Sequence, residues 1–301
     1  MSNKYRKLFS LFTAFIVIVI GKYVIVAQTE LRGEWKASVN AEKSEKKLNL
    51  SLWRKSDKGD RNQMGSSYDV NEFEGLSESQ FAGSNVRFSL TREAGRIDFD
   101  GSFSNNKGAG TFVYKPDQQF FSTLKARGFD FEKPSKNGRE NQSENRMFAA
   151  MALNVKMATA DDLLSANFGN LDIDDLFSAT IFKIDSAFMR EMKASGFPNL
   201  GMDELVKARI FKIDAEFLRS LNESGLGTED FENVVQMRIF KITPEYVKSI
   251  RAEGFGKVDM EDLVQLKIFN IDAEFIRKAR EEGFPMEVDK LVQKRIGVWK
   301  K

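Results

Sequence analysis

Seven cations stand at a fixed interval along the second half of the chain, and their spacing is the nearest thing in it to a working site. Arg209, Arg238, Lys267 and Arg295 are separated by 29, 29 and 28 residues, and Lys183, Lys212 and Lys241 by 29. Cations repeated at one phase of a repeat can hold an acidic segment of a partner protein. The competing role is structural, because a cation in the last turn of a helix is favoured by the macrodipole. Residues 156–301 carry 22 basic and 26 acidic side chains, so these cations do not sum to a polyanion-binding surface.

Carboxylates are the other candidates. Asp161-Asp162, Asp174-Asp175 and Glu281-Glu282 are adjacent acid pairs. Two carboxylates can hydrolyse a glycoside when they flank a cleft in unlike environments, but neighbours on a helix point in different directions. Asp172-Ile173-Asp174-Asp175 has the acid density of a calcium loop without the glycine and late glutamate of an EF-hand. The chain contains no His and no Cys. That removes Ser-His-Asp and Cys-His nucleophiles, Cys or His zinc sites, iron–sulfur clusters and disulfides. No phosphate-cradling Gly-x-x-x-x-Gly-Lys occurs. The expectation is a protein with no catalytic residues, cofactor or metal, and, at 46 basic against 44 acidic residues, no nucleic-acid partner.

The elements that position the cations are legible from a phrase. Ile181-Phe182-Lys183-Ile184-Asp185 returns as Ile210-Phe211-Lys212-Ile213-Asp214, Ile239-Phe240-Lys241-Ile242-Thr243, Ile268-Phe269-Asn270-Ile271-Asp272 and a degenerate Ile296-Gly297-Val298. Asp214 sits where an N-cap belongs, and its counterpart Thr243 precedes Pro244, a favoured N-cap and N1 pair. Apolar residues follow at cap plus three, four and seven: Phe217, Leu218 and Leu221 in one copy, Tyr246, Val247 and Ile250 in the next. Gly196, Gly225, Gly254 and Gly283 then supply left-handed terminators. A second helix begins near Asp172, Asp230 or Asp259, with Gly201 and Glu287 in that slot elsewhere, and runs into the next phrase. Each unit is expected to be two short helices that stay folded by stacking on neighbours. Asp117 to Gly128 matches the first-helix template, so this helical-repeat domain spans 116–301, with a polar loop at about 130–143.

Upstream the period is two. Val86, Phe88 and Leu90 alternate with Arg87 and Ser89; Leu48, Leu50 and Leu52 alternate with Asn49, Ser51 and Trp53. Turns are expected at Glu93-Ala94-Gly95-Arg96 and Asn105-Asn106-Lys107-Gly108, a polar loop between Arg54 and Ser67, a weaker strand near Tyr68 to Val70, and a hairpin-turn role for Gly108-Ala109-Gly110. Residues 32–115 thus read as a small antiparallel β domain of five or six strands, and the whole chain as α+β and multi-domain, the β domain preceding an α-solenoid of 29-residue two-helix repeats. Gly33-Glu34-Trp35 resembles the Gly-x-Trp opening of lipocalin-like barrels, which implies a small-ligand or glycan module using Trp35 or Trp53. The alternative makes both tryptophans core or edge aromatics, and about eighty residues are too few for eight strands around a cavity.

Residues 1–27 have the layout of a secretory signal: Lys4, Arg6 and Lys7, an apolar run from Leu8 to Ile20, and Ile25-Val26-Ala27 before Gln28. If Lys22 snorkels, residues 8–27 instead form an uncleaved anchor facing the periplasm. Either places the remainder outside the cytoplasm, periplasmic or secreted.

The cadence Asp214-Ala215-Glu216-Phe217, Gly254-Phe255, Asp203-Glu204-Leu205-Val206 and Arg209-Ile210-Phe211 resembles the short helical repeats that follow the membrane metallopeptidase region of some β-lactam-sensor-type bacterial proteins. There too a β segment ending like Gly110-Thr111-Phe112-Val113-Tyr114 precedes the repeats. The His-Glu-x-x-His zinc site of that family has no counterpart in a chain without histidine. The resemblance implies an accessory or sensory role in the cell envelope, through a protein partner, and no peptidase activity.

Overall fold

The computed structural model describes residues 30–39, 47–55, 61–133, 143–167, 169–223, 230–256 and 258–298. The segment read as signal or anchor, most of the polar loop at 130–143, and Gly225 of the glycine series lie outside the described residues. The chain divides into two units after Gln118.

The first unit is one antiparallel sheet. Its strands are β1 (Leu31–Val39), β2 (Lys47–Lys55), β3 (Arg61–Asp69), β4 (Phe73–Glu74), β5 (Gly83–Arg92), β6 (Gly95–Ser104) and β7 (Lys107–Pro116). They lie in the order β3-β2-β1-β7-β6-β5-β4. The strands outnumber the five or six expected: β4 has no counterpart in the sequence reading, and only the Tyr68 end of β3 has one. β3 runs through the segment read as a loop and pairs with β2 from Lys47 opposite Asp69 to Lys55 opposite Arg61. As an edge strand rich in Asn, Gln, Ser and Gly, it offers no apolar alternation to read. Gly108-Ala109-Gly110 also belongs to a strand rather than a turn. The β6–β7 turn is Asn105-Asn106 alone, with φ 48° and 61° at the two residues, as a two-residue hairpin of primed type requires.

Pairing of the first strand with the last, Leu31 opposite Tyr114, curls the sheet, and a single 3-10 turn, Val70–Glu72, joins the two edge strands. The inner face is filled with rings. Trp35 is 1% exposed and meets Phe88, Phe99 and Phe103 at centroid distances of 5.4, 6.2 and 5.6 Å. Its indole N–H donates to the Asp100 carbonyl at 3.2 Å. It fits only because glycines face it: a Cβ on Gly110 would stand 2.0 Å from the Asp100 oxygen and 2.7 Å from the indole nitrogen. Tyr114 is buried, donates to the Ala94 carbonyl at 2.7 Å, and has its hydroxyl pKa pushed up by burial.

The second unit is helical. Its helices are α1 (Gln118–Ala126), α2 (Ser143–Leu153), α3 (Met157–Ser165), α4 (Ile173–Phe182), α5 (Ser186–Ala194), α6 (Met202–Phe211), α7 (Ala215–Glu223), α8 (Phe231–Ile239), α9 (Pro244–Ala252), α10 (Met260–Ile268), α11 (Ala273–Glu281) and α12 (Val288–Arg295). From α3 onward odd-numbered members are first helices and even-numbered ones are second helices. Second helices pack on second helices, α4 on α6, α6 on α8, α8 on α10 and α10 on α12, while α3 meets α5 and α9 meets α11 among the first. Helix starts fall where the side chains allow. Asp185, Asp214, Thr243 and Asp272 each accept the backbone N–H three residues on, at 2.8, 2.9, 3.2 and 2.8 Å. Gly196, Gly254 and Gly283, at φ 104°, 94° and 72°, end first helices. Asn154 at φ 58° shows that α2 already closes a repeat.

Candidate functional site

The two cation series have different duties. Arg209, Arg238 and Arg295 reach back one unit to the carbonyl that ends the preceding second helix. Arg209 Nη2 donates to the Lys183 carbonyl at 2.9 Å, Arg238 Nη2 to that of Lys212 at 2.8 Å, and Arg295 Nε to that of Phe269 at 3.0 Å. On the way each crosses an aromatic ring of the first helix between them: Arg209 over Phe188 at 3.7 Å, Arg238 over Phe217 at 4.1 Å, Arg295 over Phe275 at 5.1 Å. Lys267 stands over Tyr246 at 4.2 Å, and the Tyr246 hydroxyl donates to the Ile271 carbonyl at 2.8 Å. The three arginines therefore stitch adjacent units, each capping a helix C-terminus and a ring face at once, whereas Lys267 covers a ring and leaves the carbonyl to the Tyr246 hydroxyl.

Lys183, Lys212 and Lys241 are different. They are the residues past the second helix, held left-handed at φ 54°, 53° and 53°, with Asn270 at 51° in the fourth copy. The isoleucine that follows folds back to close the helix, Ile213 N–H donating to the Ala208 carbonyl at 2.8 Å and Ile242 N–H to that of Met237 at 2.9 Å. Their side chains are exposed and, among the described residues, in no ion pair. A left-handed non-glycine residue costs about 1–2 kcal/mol, a penalty glycine at the same place would avoid. Lysine persists at three such places.

A row that sequence reasoning did not single out lies beside them. Ile181, Ile210, Ile239, Ile268 and Ile296 are 51, 52, 46, 53 and 50% exposed. They stand at one phase of successive stacked second helices, so they line up as an apolar ridge with the lysines next to it. The signal that could have found them is the doubled isoleucine of the phrase: Ile184, Ile213, Ile242 and Ile271 fill the buried position, and the isoleucine three residues earlier, Ile in all five copies, is left for the surface.

The acid pairs are scattered. Asp161 binds Arg127 Nε at 2.6 Å, whereas Asp162 accepts the Ser186 N–H at 2.7 Å and its hydroxyl at 2.6 Å, which holds the Asp162 carboxyl below the usual range. Asp172 caps α4, and Asp175 returns to the Asp172 N–H at 2.8 Å. Asp174 faces Arg146, and Glu282 faces Lys294. Asp161, Asp162, Asp174, Asp175 and Glu282 are thus caps or links, and Glu281 lies exposed at the end of α11.

On the sheet's outer face, one depression of ≈ 500 Å³ is lined by Lys36, Ser38, Asn49, Ser51, Ser104 and Lys107 among others. Lys36 also lies 5.6 Å from the Trp53 ring centre. Farther along that face Arg96 joins Glu74, Asp98 and Ser89 at 3.0, 2.7 and 2.7 Å. No helix among the described residues is long and apolar enough to cross a membrane. No family model, curated protein or solved structure matches the chain.

Proposed function

We propose that this chain is an exported, non-catalytic repeat scaffold that mediates protein–protein interaction in the cell envelope, with the isoleucine ridge as its docking surface and an accessory role in signalling. The observation that carries the reading is that a position about half exposed in every copy is isoleucine in all five. Packing does not require isoleucine there; a partner that covers it would. The lysines at Lys183, Lys212 and Lys241 belong to the same surface. Arg209, Arg238 and Arg295 tie each unit to the one before and so fix the spacing of the ridge. Export rests on residues 1–27 and is tested by protease accessibility in intact spheroplasts.

The docking reading is tested with a photo-crosslinking amino acid at Ile210 or Ile239, against the same group at exposed Glu261 as control, in the cells that make the protein. Adducts at the ridge positions and not at the control are expected. Equal or absent crosslinking at the ridge would sink the proposal.

A second reading, a small-ligand or glycan module, is favoured by the outer-face depression and not by Trp35, whose ring is enclosed. It expects a change in Trp53 emission on titration with oligosaccharides, and an unaltered spectrum across a panel would dismiss it.

A further inference from the structure

We infer that the outer face of the sheet binds an acidic carbohydrate, a short chain of carboxylate-bearing sugars, across β2, β1, β7 and β6. This rests on the second reading above and adds the class of ligand; it does not depend on the isoleucine ridge. The registers set eight outward side chains in two ranks across these four strands. One rank reads Asn49, Ser38, Lys107 and Ser104, and the next Ser51, Lys36, Ala109 and Ser102. Together they line the depression of ≈ 500 Å³, a volume within the range of small-ligand sites. Five of the eight offer a hydroxyl or an amide, two offer an ammonium, and none is a carboxylate.

What sets this patch apart is that the fold makes no use of its polar groups. Among the described residues the hydroxyls of Ser38, Ser51, Ser102 and Ser104, the Asn49 amide and the Lys107 ammonium have no hydrogen-bond or ion partner, and Lys36 meets only the Trp53 ring at 5.6 Å. Elsewhere on the same face the charges answer one another. Arg87 binds Asp100 at 2.7 Å, and Arg96 and Lys115 both hold Asp98, at 2.7 and 3.1 Å. Asparagine and serine are also weaker strand formers than threonine or valine, so a face serving stability alone has no call for them. The chemistry left over fits one class of ligand. Hydroxyl and amide side chains both donate and accept, as the hydroxyls of a sugar do. Lys36 and Lys107 are diagonal neighbours on β1 and β7, about 7–8 Å apart at Cα, and supply two cations for carboxylates on a single short chain. Trp53, beside Lys36 at the edge of the patch, adds a flat apolar surface for the C–H side of a sugar ring. A protein partner needs an apolar centre, which the patch lacks. A nucleic acid would run into Glu34 and Asp100, both exposed in the adjoining rank.

The test is isothermal titration of the full chain with a tetramer of galacturonic acid, with neutral maltotetraose and with a tetraglutamate peptide. Near-UV circular dichroism shows that each variant is folded. The acidic tetramer is expected to bind best, and more weakly as sodium chloride is added. Lys36→Ala and Lys107→Ala should each weaken it by about threefold or more, without moving any affinity for maltotetraose. Ala109→Tyr, which sets a ring in the middle of the depression, should abolish binding of the acidic tetramer. Maltotetraose bound as tightly as the acidic tetramer overturns the acidic class yet leaves a glycan module standing. Tetraglutamate bound as tightly overturns the carbohydrate class. Unaltered affinity in Ala109→Tyr, or in both lysine variants, overturns the placement. A chain that binds none of these probes removes the proposal and the glycan reading with it.

Discussion

The guanidinium of Arg238 lies 4.1 Å above the ring of Phe217 and donates through two nitrogens to the carbonyl of Lys212, so one side chain covers the first helix of its own unit and closes the second helix of the unit before it. Truncation removes a ring contact and leaves a helix-end carbonyl to water. Arg238→Ala is expected to lower stability by about 1–2 kcal/mol, read as a shift in the urea midpoint. Arg238→Lys should fall between the two, since an ammonium keeps the ring contact, as Lys267 does, without the forked donation.

Lys212 supplies an experiment in which stability and function part company. At φ 53° glycine is the less strained residue, so Lys212→Gly should raise the thermal midpoint, by the equivalent of up to about 1 kcal/mol. It should at the same time weaken whatever the ridge binds. A variant both less stable and unimpaired in association would show that lysine stands there for a local reason.

Asp162 ties two units together by accepting both the N–H and the hydroxyl of Ser186. Its folded pKa is depressed, chiefly by the Ser186 hydroxyl hydrogen bond and then by the Ser186 N–H. A depressed carboxyl contributes stability above its unfolded pKa, about 3.9, and that contribution disappears as pH falls through the folded value. Asp162→Asn is therefore expected to be less stable than the wild type by about 1–2 kcal/mol at neutral pH, with the gap closing under strongly acid conditions. Urea midpoints at several pH values measure it.

Gly110 has no room for a methyl group, with the Asp100 oxygen and the Trp35 indole both inside contact distance of a Cβ. Gly110→Ala should destabilise the sheet by about 1–3 kcal/mol or more, and Gly110→Val should expose Trp35, seen as a red shift in emission at room temperature.

The repeat was legible because its punctuation is chemical. Asp214 and Thr243-Pro244 can start a helix, Gly196 and Gly254 can end one, and the structure uses them so. Leu48, Leu50 and Leu52 announced a strand because one face is buried and the other wet. Most of β3 escaped notice since an edge strand held by backbone bonds to a single neighbour needs no apolar pattern. The left-handed lysines escaped because lysine is no turn-former, and what forces Lys212 into that conformation is the closure of Ile213 onto Ala208. The stitching role of Arg209, Arg238 and Arg295 was half visible as a helix-end preference, while the rings beneath them lie about twenty residues away and emerge only when units stack. Exposure of Ile210 and its counterparts was hidden by the habit of assigning isoleucine to a core.

The polar links between successive units from α2 onward span 24 to 28 residues, Ser186 to Asp162 at the short end and Asp174 to Arg146 at the long, less than one period of 29, while Arg127 to Asp161, across the polar loop, spans 34. An array fastened in this way comes apart like a zip. Drawn by its two ends in an optical trap, the C-terminal half should yield in a train of similar tugs, each releasing roughly 100 Å of slack, and copies could be added or deleted over generations without redesigning the fasteners.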